Sequence, residues 1–230
     1  VSALMCMAPA TAQRVMENLD RGLVAMKKGN GVYLSWRLLG QEWYDVNYNV
    51  YRDGTRLNAE PLATSNYYDA SGTTSASYTV RAVVRGVEQE DCKAVTPWKA
   101  QYMDIPMQPV KTAAGVDITG KYTLNDASAA DLDGDGDYEL IVKRQNTDFT
   151  KANTAYTLFQ AYTLEGTLLW TINVGPNMIN ASHVETNCMA YDFNMDGKAE
   201  VVIRLTDGSI LPDGTTVGNA AVNYRPTSYS

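Results

Sequence analysis

The pattern of apolar and polar residues predicts short β-strands in the first half of the chain. Two segments alternate apolar with polar side chains at the period of two that a half-buried strand requires. Their inward positions are Val32, Leu34, Trp36 and Leu38 in one segment and Tyr78, Val80, Ala82 and Val84 in the other. Asp53-Gly54 separates two further strand patterns and is a strong hairpin signal. Strands spaced this closely predict a small antiparallel sandwich of the fibronectin type III or immunoglobulin-like kind over residues 13–100, with Trp36 in its core.

A second organisation begins after a linker with three prolines at residues 96–109. The order strand, acidic loop, strand occurs twice, and two more strand patterns joined at Glu165-Gly166 lie between the copies. Four strands per repeat is the unit of a β-propeller blade. Residues 101–230 are therefore predicted to form an incomplete propeller of about one and a half blades. Because a ring needs several blades, we expect the chain to be part of a longer protein.

The first twelve residues differ from the rest in being small and apolar, and they end in Ala-Thr-Ala. This is typical of a secretory signal with cleavage after Ala12, so residues 1–12 are predicted to be a signal peptide remnant and the protein to be secreted or periplasmic. A buried first strand is the alternative. No other segment is long and apolar enough to cross a membrane.

Composition and charge narrow the class of partner. Apolar residues make up 45% and charged residues 20% of the 230, as in ordinary globular proteins. The net charge is −7, with 19 basic and 26 acidic residues and no basic run. Nucleic acid is excluded as the expected partner, since its phosphates require a positive face.

The acidic loops carry the main chemical signal. Oxygen ligands at loop positions 1, 3, 5 and 9, with a backbone carbonyl at 7, suit a divalent cation that takes six to eight oxygens, and Ca²⁺ tolerates this flexible geometry better than Mg²⁺. The two loops align at a constant offset of 61 residues, the difference between positions 131 and 192. The predicted ligands are Asp131, Asp133, Asp135, Asp137 and Glu139 in loop 1, and Asp192, Asn194, Asp196, Lys198 and Glu200 in loop 2.

An EF-hand also begins with alternating acidic residues, but it requires Glu at position 12 and a helix on each side. Position 12 is Val142 in loop 1 and Ile203 in loop 2, and both loops run into strand patterns. The EF-hand is therefore excluded, and a dockerin module is excluded by the same missing helices.

The combination of these segments resembles the secreted rhamnogalacturonan lyases of polysaccharide lyase family 11. The resemblance is carried by "GVYLSWRLLG" and "YNVYRDG" in the first domain and by "NDASAADLDGDGDYELIVKR" and "YDFNMDGKAEVVIR" in the second. It implies an eight-bladed, calcium-containing propeller that cleaves rhamnogalacturonan I of pectin by β-elimination and is a monomer when full-length. It also implies that this chain alone is inactive, because the family's catalytic basic and aromatic residues lie in later blades.

The resemblance assigns one further ligand. In the motif "NDAS", Asn125 matches a ligand of the calcium ion in the family's central substrate cleft. The family often has an Asp after the next strand, where this chain has Gln145 and Asn146. His183, the only histidine, is predicted near the centre of the ring, either as a structural residue or as a catalytic one.

Two interpretations stay open at this stage. Lys143, Arg144 and Arg204 are expected either to face an anionic polymer or to be ordinary solvated strand ends. As a whole, the protein is predicted to be a pectin lyase, and the alternative is a non-catalytic, calcium-dependent propeller that binds a glycan or a protein partner.

Overall fold

The structure of the chain, a computed structural model, describes residues 19–40, 42, 44–148, 150–178 and 187–227. It confirms the all-β prediction, since the described residues form thirteen strands and a single 3₁₀ turn, Thr119–Lys121. The chain divides into two compact units, one containing Asp20–Gln101 and the other the residues from Tyr102 onward. The expected signal segment, residues 1–12, and His183 both lie outside the described residues.

The first unit is a sandwich of two antiparallel sheets, as predicted. Its strands are β1 (Val24–Lys28), β2 (Gly31–Ser35), β3 (Asn47–Arg52), β4 (Thr55–Arg56), β5 (Asn66–Asp69), β6 (Tyr78–Val84) and β7 (Val87–Asp91). One sheet has the order β1-β2-β5 and the other the order β4-β3-β6-β7. Both sheets contribute to a single core, in which Trp36 packs edge-to-face on Tyr48 with ring centroids 5.3 Å apart.

The hairpin prediction is confirmed at Asp53-Gly54, which joins β3 to β4. Both residues have left-handed backbones, with φ of 49° and 77°, as a two-residue type I′ turn requires. One predicted core position is wrong: the side chain of Leu38 is 67% exposed. The reason is that β2 ends at Ser35, so the alternation of the strand no longer directs Leu38 inward.

The second unit contains a four-stranded antiparallel sheet and a two-stranded one. The strands are β8 (Thr123–Ala130), β9 (Glu139–Gln145), β10 (Leu158–Tyr162), β11 (Leu168–Asn173), β12 (Cys188–Tyr191) and β13 (Glu200–Ile203). The order in the larger sheet follows the chain from β8 to β11, and β12 pairs with β13. A core with Ile141 and Phe159 at its centre lies between one face of the larger sheet and the β12–β13 pair.

The opposite face of the larger sheet is covered by the segment that precedes β8. The guanidinium of Arg144 donates 2.6 Å to the carbonyl oxygen of Gln108 and 2.9 Å to the hydroxyl of Tyr162. Arg144 is 3% exposed and Lys143 is fully buried, so both interpretations of these two residues, as solvated strand ends or as a polymer-facing surface, are wrong. Arg204 is exposed.

Membrane-spanning helices are not found in the part of the chain that the structure describes, since no helix there is long and apolar enough to cross a bilayer.

Candidate metal centre

The two acidic loops occupy the same place in their sheets. Loop 1 joins β8 to β9, and loop 2 joins β12 to β13. In each case the first acidic residue directly follows a strand and the final Glu is the first residue of the next strand. The antiparallel pairing of the flanking strands therefore brings positions 1 and 9 of each loop close together.

Loop 1 is wrapped around the carboxylate of Asp131, which is 1% exposed. One oxygen of Asp131 accepts a 2.7 Å hydrogen bond from the backbone N–H of Gly134, and the other accepts 2.9 Å from Gly136. Glu139 accepts 2.7 Å from the N–H of Leu132. These bonds hold two buried carboxylates in fixed orientations and so preorganise the centre of the loop.

Loop 2 repeats two of these three contacts 61 residues later. Asp192, which is 3% exposed, accepts 2.8 Å from Gly197 and 3.1 Å from Asp196. Glu200 accepts 2.9 Å from the N–H of Phe193, the counterpart of Leu132. The 61-residue offset therefore holds for two of the three hydrogen bonds, and the third donor lies one position later, at Asp196 instead of Met195.

Three carboxylates of each loop lie close together. Side-chain oxygens of Asp131, Asp133 and Glu139 all lie within 4.8 Å of one another in loop 1. Asp192, Asp196 and Glu200 do the same in loop 2. Six of the ten predicted ligand residues are thus brought together as two carboxylate triads.

The remaining predicted ligand positions lie outside the two carboxylate triads. Asp135 is not part of the loop 1 triad, and its carboxylate accepts 2.9 Å from the N–H of Asp137. In loop 2, the amide of Asn194 donates 3.1 Å to Asp196 and 2.8 Å to Glu200, so it lies inside the group of ligands. Asp137 and Lys198 were predicted to contribute backbone carbonyls rather than side chains.

The charge of loop 1 favours a bound cation. Burial raises the pKa of Glu139 above its ordinary value, the negative charges of Asp133, Asp131 and Asp135 raise it further, and the Leu132 N–H opposes the shift. The raised pKa means that ionisation of Glu139 is less favourable in this loop than in water, and a cation nearby would offset that penalty. Because every donor atom is oxygen, the triads fit a hard divalent cation.

Asn125 lies at the other end of β8. The pairing of β8 with β9 shifts between Leu124 and Ala127, so Asn125 and Asp126 form a β-bulge. The side-chain oxygen of Asn125 is buried and has no hydrogen-bond partner among the described residues. A buried oxygen without a donor is suited to a ligand that supplies positive charge. Six residues of strand place it roughly 20 Å along the strand from Asp131.

Two features of these sites were not predicted from the sequence. The bulge at Asn125 depends on the register against β9 and leaves no local pattern in the sequence. A contact between the two loops, through Asp131 and Ala199, was also missed. The available signal was the glycine at loop position 4, Gly134, where the second loop has Met195. His183 is outside the described residues, so its predicted role stays a prediction.

Family models match both units of the chain. The model described as "Rhamnogalacturonan I lyases beta-sheet domain" matches residues 14–98. The model described as "Rhamnogalacturonan lyase family 11, C-terminal domain" matches residues 102–229.

Individual relatives agree with the family models. Rhamnogalacturonan endolyase YesW of Bacillus subtilis (strain 168) is 46% identical over 222 residues, and rhamnogalacturonan exolyase YesX of the same strain is 38% identical over 221. Each match covers 93% of this chain but only 35% of YesW and 36% of YesX. The chain therefore spans about a third of the length of these relatives.

The fold agrees with solved structures of these lyases. The crystal structure of YesW superposes with a TM-score of 0.75 at 43% identity, covering 93% of this chain and 37% of that one. The Bacillus licheniformis rhamnogalacturonan lyase PL11 gives a TM-score of 0.76 at 44% identity, with 91% and 37% covered. Since the second family model spans more than half of the residues and the relatives agree with it, the chain belongs to rhamnogalacturonan lyase family 11.

Proposed function

We propose that this chain is part of a secreted, calcium-dependent lyase that cleaves the rhamnogalacturonan I backbone of pectin by β-elimination. The observation that carries the proposal is the match of both units to lyase families, with a curated endolyase and a curated exolyase among the relatives. Secretion rests on the composition of residues 1–12.

The proposed domains are a signal peptide remnant at 1–12, a fibronectin III-like sandwich at 13–100 and an incomplete propeller at 101–230. The four-stranded sheet β8–β11 supports the propeller, because its strands follow the chain order, as in a blade. The β12–β13 pair shares a core with it and takes the place of the first half of a second blade.

The proposed reaction removes the proton at C5 of a galacturonate residue while the oxygen at C4 departs. That proton becomes more acidic when the neighbouring carboxylate is neutralised, which is the chemistry that calcium supplies when bound. Asn125 is the residue of this chain proposed to hold that ion, and its unpartnered buried oxygen supports this role. The general base is proposed to lie in a part of the full-length protein outside these 230 residues.

The two acidic loops are proposed to hold structural Ca²⁺. They lie at the end of β8 opposite Asn125, roughly 20 Å away by strand length. Ions at that distance cannot touch a sugar bound at Asn125, but they neutralise carboxylates that would otherwise repel one another. Metal binding and the ordering of these loops are therefore proposed to be coupled.

The test is incubation of the full-length protein with rhamnogalacturonan I in calcium, following the ultraviolet absorbance of unsaturated uronate. We expect that absorbance to rise with the full-length protein and not with the 230-residue chain alone. Saturated ends, or no cleavage in calcium, would overturn the proposal. Tight binding of the polymer without cleavage would favour the alternative, a non-catalytic calcium-dependent binding module.

A further inference from the structure

The two acidic loops are in direct contact through one peptide group. The backbone N–H of Ala199 in loop 2 donates a 2.7 Å hydrogen bond to the backbone carbonyl of Asp131 in loop 1. Asp131 is the first ligand residue of loop 1, and its side chain belongs to the carboxylate triad of that loop. Each loop therefore positions part of the other.

The same peptide group also includes a predicted backbone ligand of loop 2. Its N–H belongs to Ala199, and its carbonyl belongs to Lys198, the backbone ligand predicted at position 7. In a trans peptide these two groups point in opposite directions. A cation at the Lys198 carbonyl polarises the peptide and strengthens the hydrogen bond that its N–H donates, because linked hydrogen bonds reinforce one another.

Gly134 shows that the contact between the loops is tight. Its φ is +84°, and a Cβ there would lie 3.1 Å from the carbonyl oxygen of Gly197 and 3.2 Å from Cγ of Lys198. The equivalent residue of loop 2, Met195, also has a left-handed backbone, with φ of +66°, yet it carries a side chain that is 56% exposed. Met195 shows that this loop position can carry a side chain despite a left-handed backbone, and at Gly134 the close approach of loop 2 adds crowding to that strain.

We propose that the two loops bind divalent cations as a coupled pair, so that occupancy of one raises the affinity of the other through the Lys198–Ala199 peptide. The proposal rests on the calcium binding proposed above. Its physical basis is reciprocal: an ion in loop 1 fixes Asp131, which orients that peptide, and an ion in loop 2 holds the peptide in the position that supports Asp131.

The coupling is measured by calorimetric titration of the 230-residue chain with calcium. Glu139→Gln and Glu200→Gln are nearly isosteric and each weaken one site, so each variant reports the affinity of the other loop while its neighbour is unfilled. In the wild type, with the neighbouring loop filled, we expect the calcium affinity of each loop to be at least about fivefold higher than in the variant whose neighbouring loop is weakened. The factor must be equal for both loops.

A substitution at Gly134 tests whether the coupling passes through the contact between the two loops. Gly134→Ala adds a Cβ against loop 2, and we expect it to reduce the coupling factor towards one. Gly214→Ala is the matched control, because Gly214 has nearly the same φ of +85° and nothing within 4 Å of its Cβ position. We expect Gly214→Ala to keep the wild-type factor.

The titrations distinguish failure of the coupling between the loops from failure of calcium binding itself. Two bound ions with a coupling factor of one in the wild type would overturn the inference and leave calcium binding intact. An equal loss of coupling in Gly134→Ala and Gly214→Ala would overturn the proposed path. Absence of calcium binding would overturn the calcium part of the proposed function and the inference with it. The wild-type comparison stands even when Gly134→Ala does not fold.

Discussion

The hydroxyl of Tyr78 donates a 2.8 Å hydrogen bond to the carboxylate of Asp69, and this bond fastens the two sheets of the first unit to each other. Asp69 ends β5 in one sheet, and Tyr78 begins β6 in the other. Both are buried, with exposures of 5% and 0%. Arg52 adds a 2.7 Å ion pair to the same carboxylate, so the charge of Asp69 is compensated.

Tyr78→Phe removes one donor from this buried carboxylate and keeps the ring. We expect the free energy of unfolding of the first unit to fall by about 1.5–3 kcal/mol, the usual loss for a hydrogen bond to a charged group. Denaturant unfolding measures it. Tyr51→Phe is the matched control, since the Tyr51 hydroxyl donates 2.6 Å to exposed Glu88, where the loss should be smaller. Equal losses of unfolding free energy in the two variants would contradict the role of the Tyr78–Asp69 bond in joining the sheets.

The pH dependence of the first unit should reflect Asp69. Burial alone raises the pKa of Asp69, but hydrogen bonds from Tyr78 and Ser71 and the charge of Arg52 outweigh it, so the pKa lies below its ordinary 3.8. A lowered pKa in the folded state means that ionised Asp69 stabilises the fold above pH 3.8, and that this stabilisation is lost as the pH falls through the lowered value.

Comparison with Asp69→Asn isolates this contribution, because Asn does not titrate. We expect the difference in free energy of unfolding between wild type and variant to be constant near neutral pH and to shrink once the pH falls below 3.8. Unfolding in denaturant at a series of pH values measures it. A difference that keeps its full size in acid would show that Asp69 does not act through its charge.

Gly166 tests how the segment before β8 covers the sheet. Its φ is +87°, and a Cβ would collide with the carbonyl oxygen of Pro106. Gly115→Ala, at φ of +80° with open space around it, should cost only the left-handed strain of about 1–2 kcal/mol. Gly166→Ala should cost about 1–3 kcal/mol more, because backbone must move. The two thermal unfolding curves give the comparison, and equal costs would mean that Pro106 does not pack there.

Asn125 should matter for catalysis in the full-length protein and not for its folding. We expect Asn125→Ala to abolish most lyase activity, because it removes the oxygen proposed to hold the substrate-site ion. Asn125→Asp keeps an oxygen ligand and should retain more activity, especially at saturating calcium. Initial rates on rhamnogalacturonan I measure both variants. Full activity of Asn125→Ala would exclude the proposed role.

Much of the fold and of the loops could be predicted because their signals are local. Alternation places Trp36 in a core, Asp53-Gly54 defines a hairpin, and the 61-residue offset aligns two loops that share two of three hydrogen bonds. These features depend on strand period and on backbone conformation at glycine, both of which are properties of short segments.

The features that failed depend on contacts between segments distant in the sequence. Lys143 and Arg144 resemble a solvated strand end, but the segment around Gln108 covers Arg144 and supplies its acceptor. The bulge at Asn125 arises from register against β9, and the bond from Ala199 to Asp131 joins loops from different sheets. Even where one loop carries a signal, as at Gly134, that signal does not identify the segment that makes the contact.

Calcium stoichiometry tests most directly the claim that both loops are metal sites. The chain is dialysed against millimolar calcium, and bound metal is measured by elemental analysis in wild type and in three variants. We predict two ions per wild-type chain, one in Asp131→Asn, one in Asp192→Asn, and two in the control Asp213→Asn, whose exposed carboxylate lies outside both triads. A wild-type chain that binds no calcium, or loop variants that still bind two ions, would contradict the account.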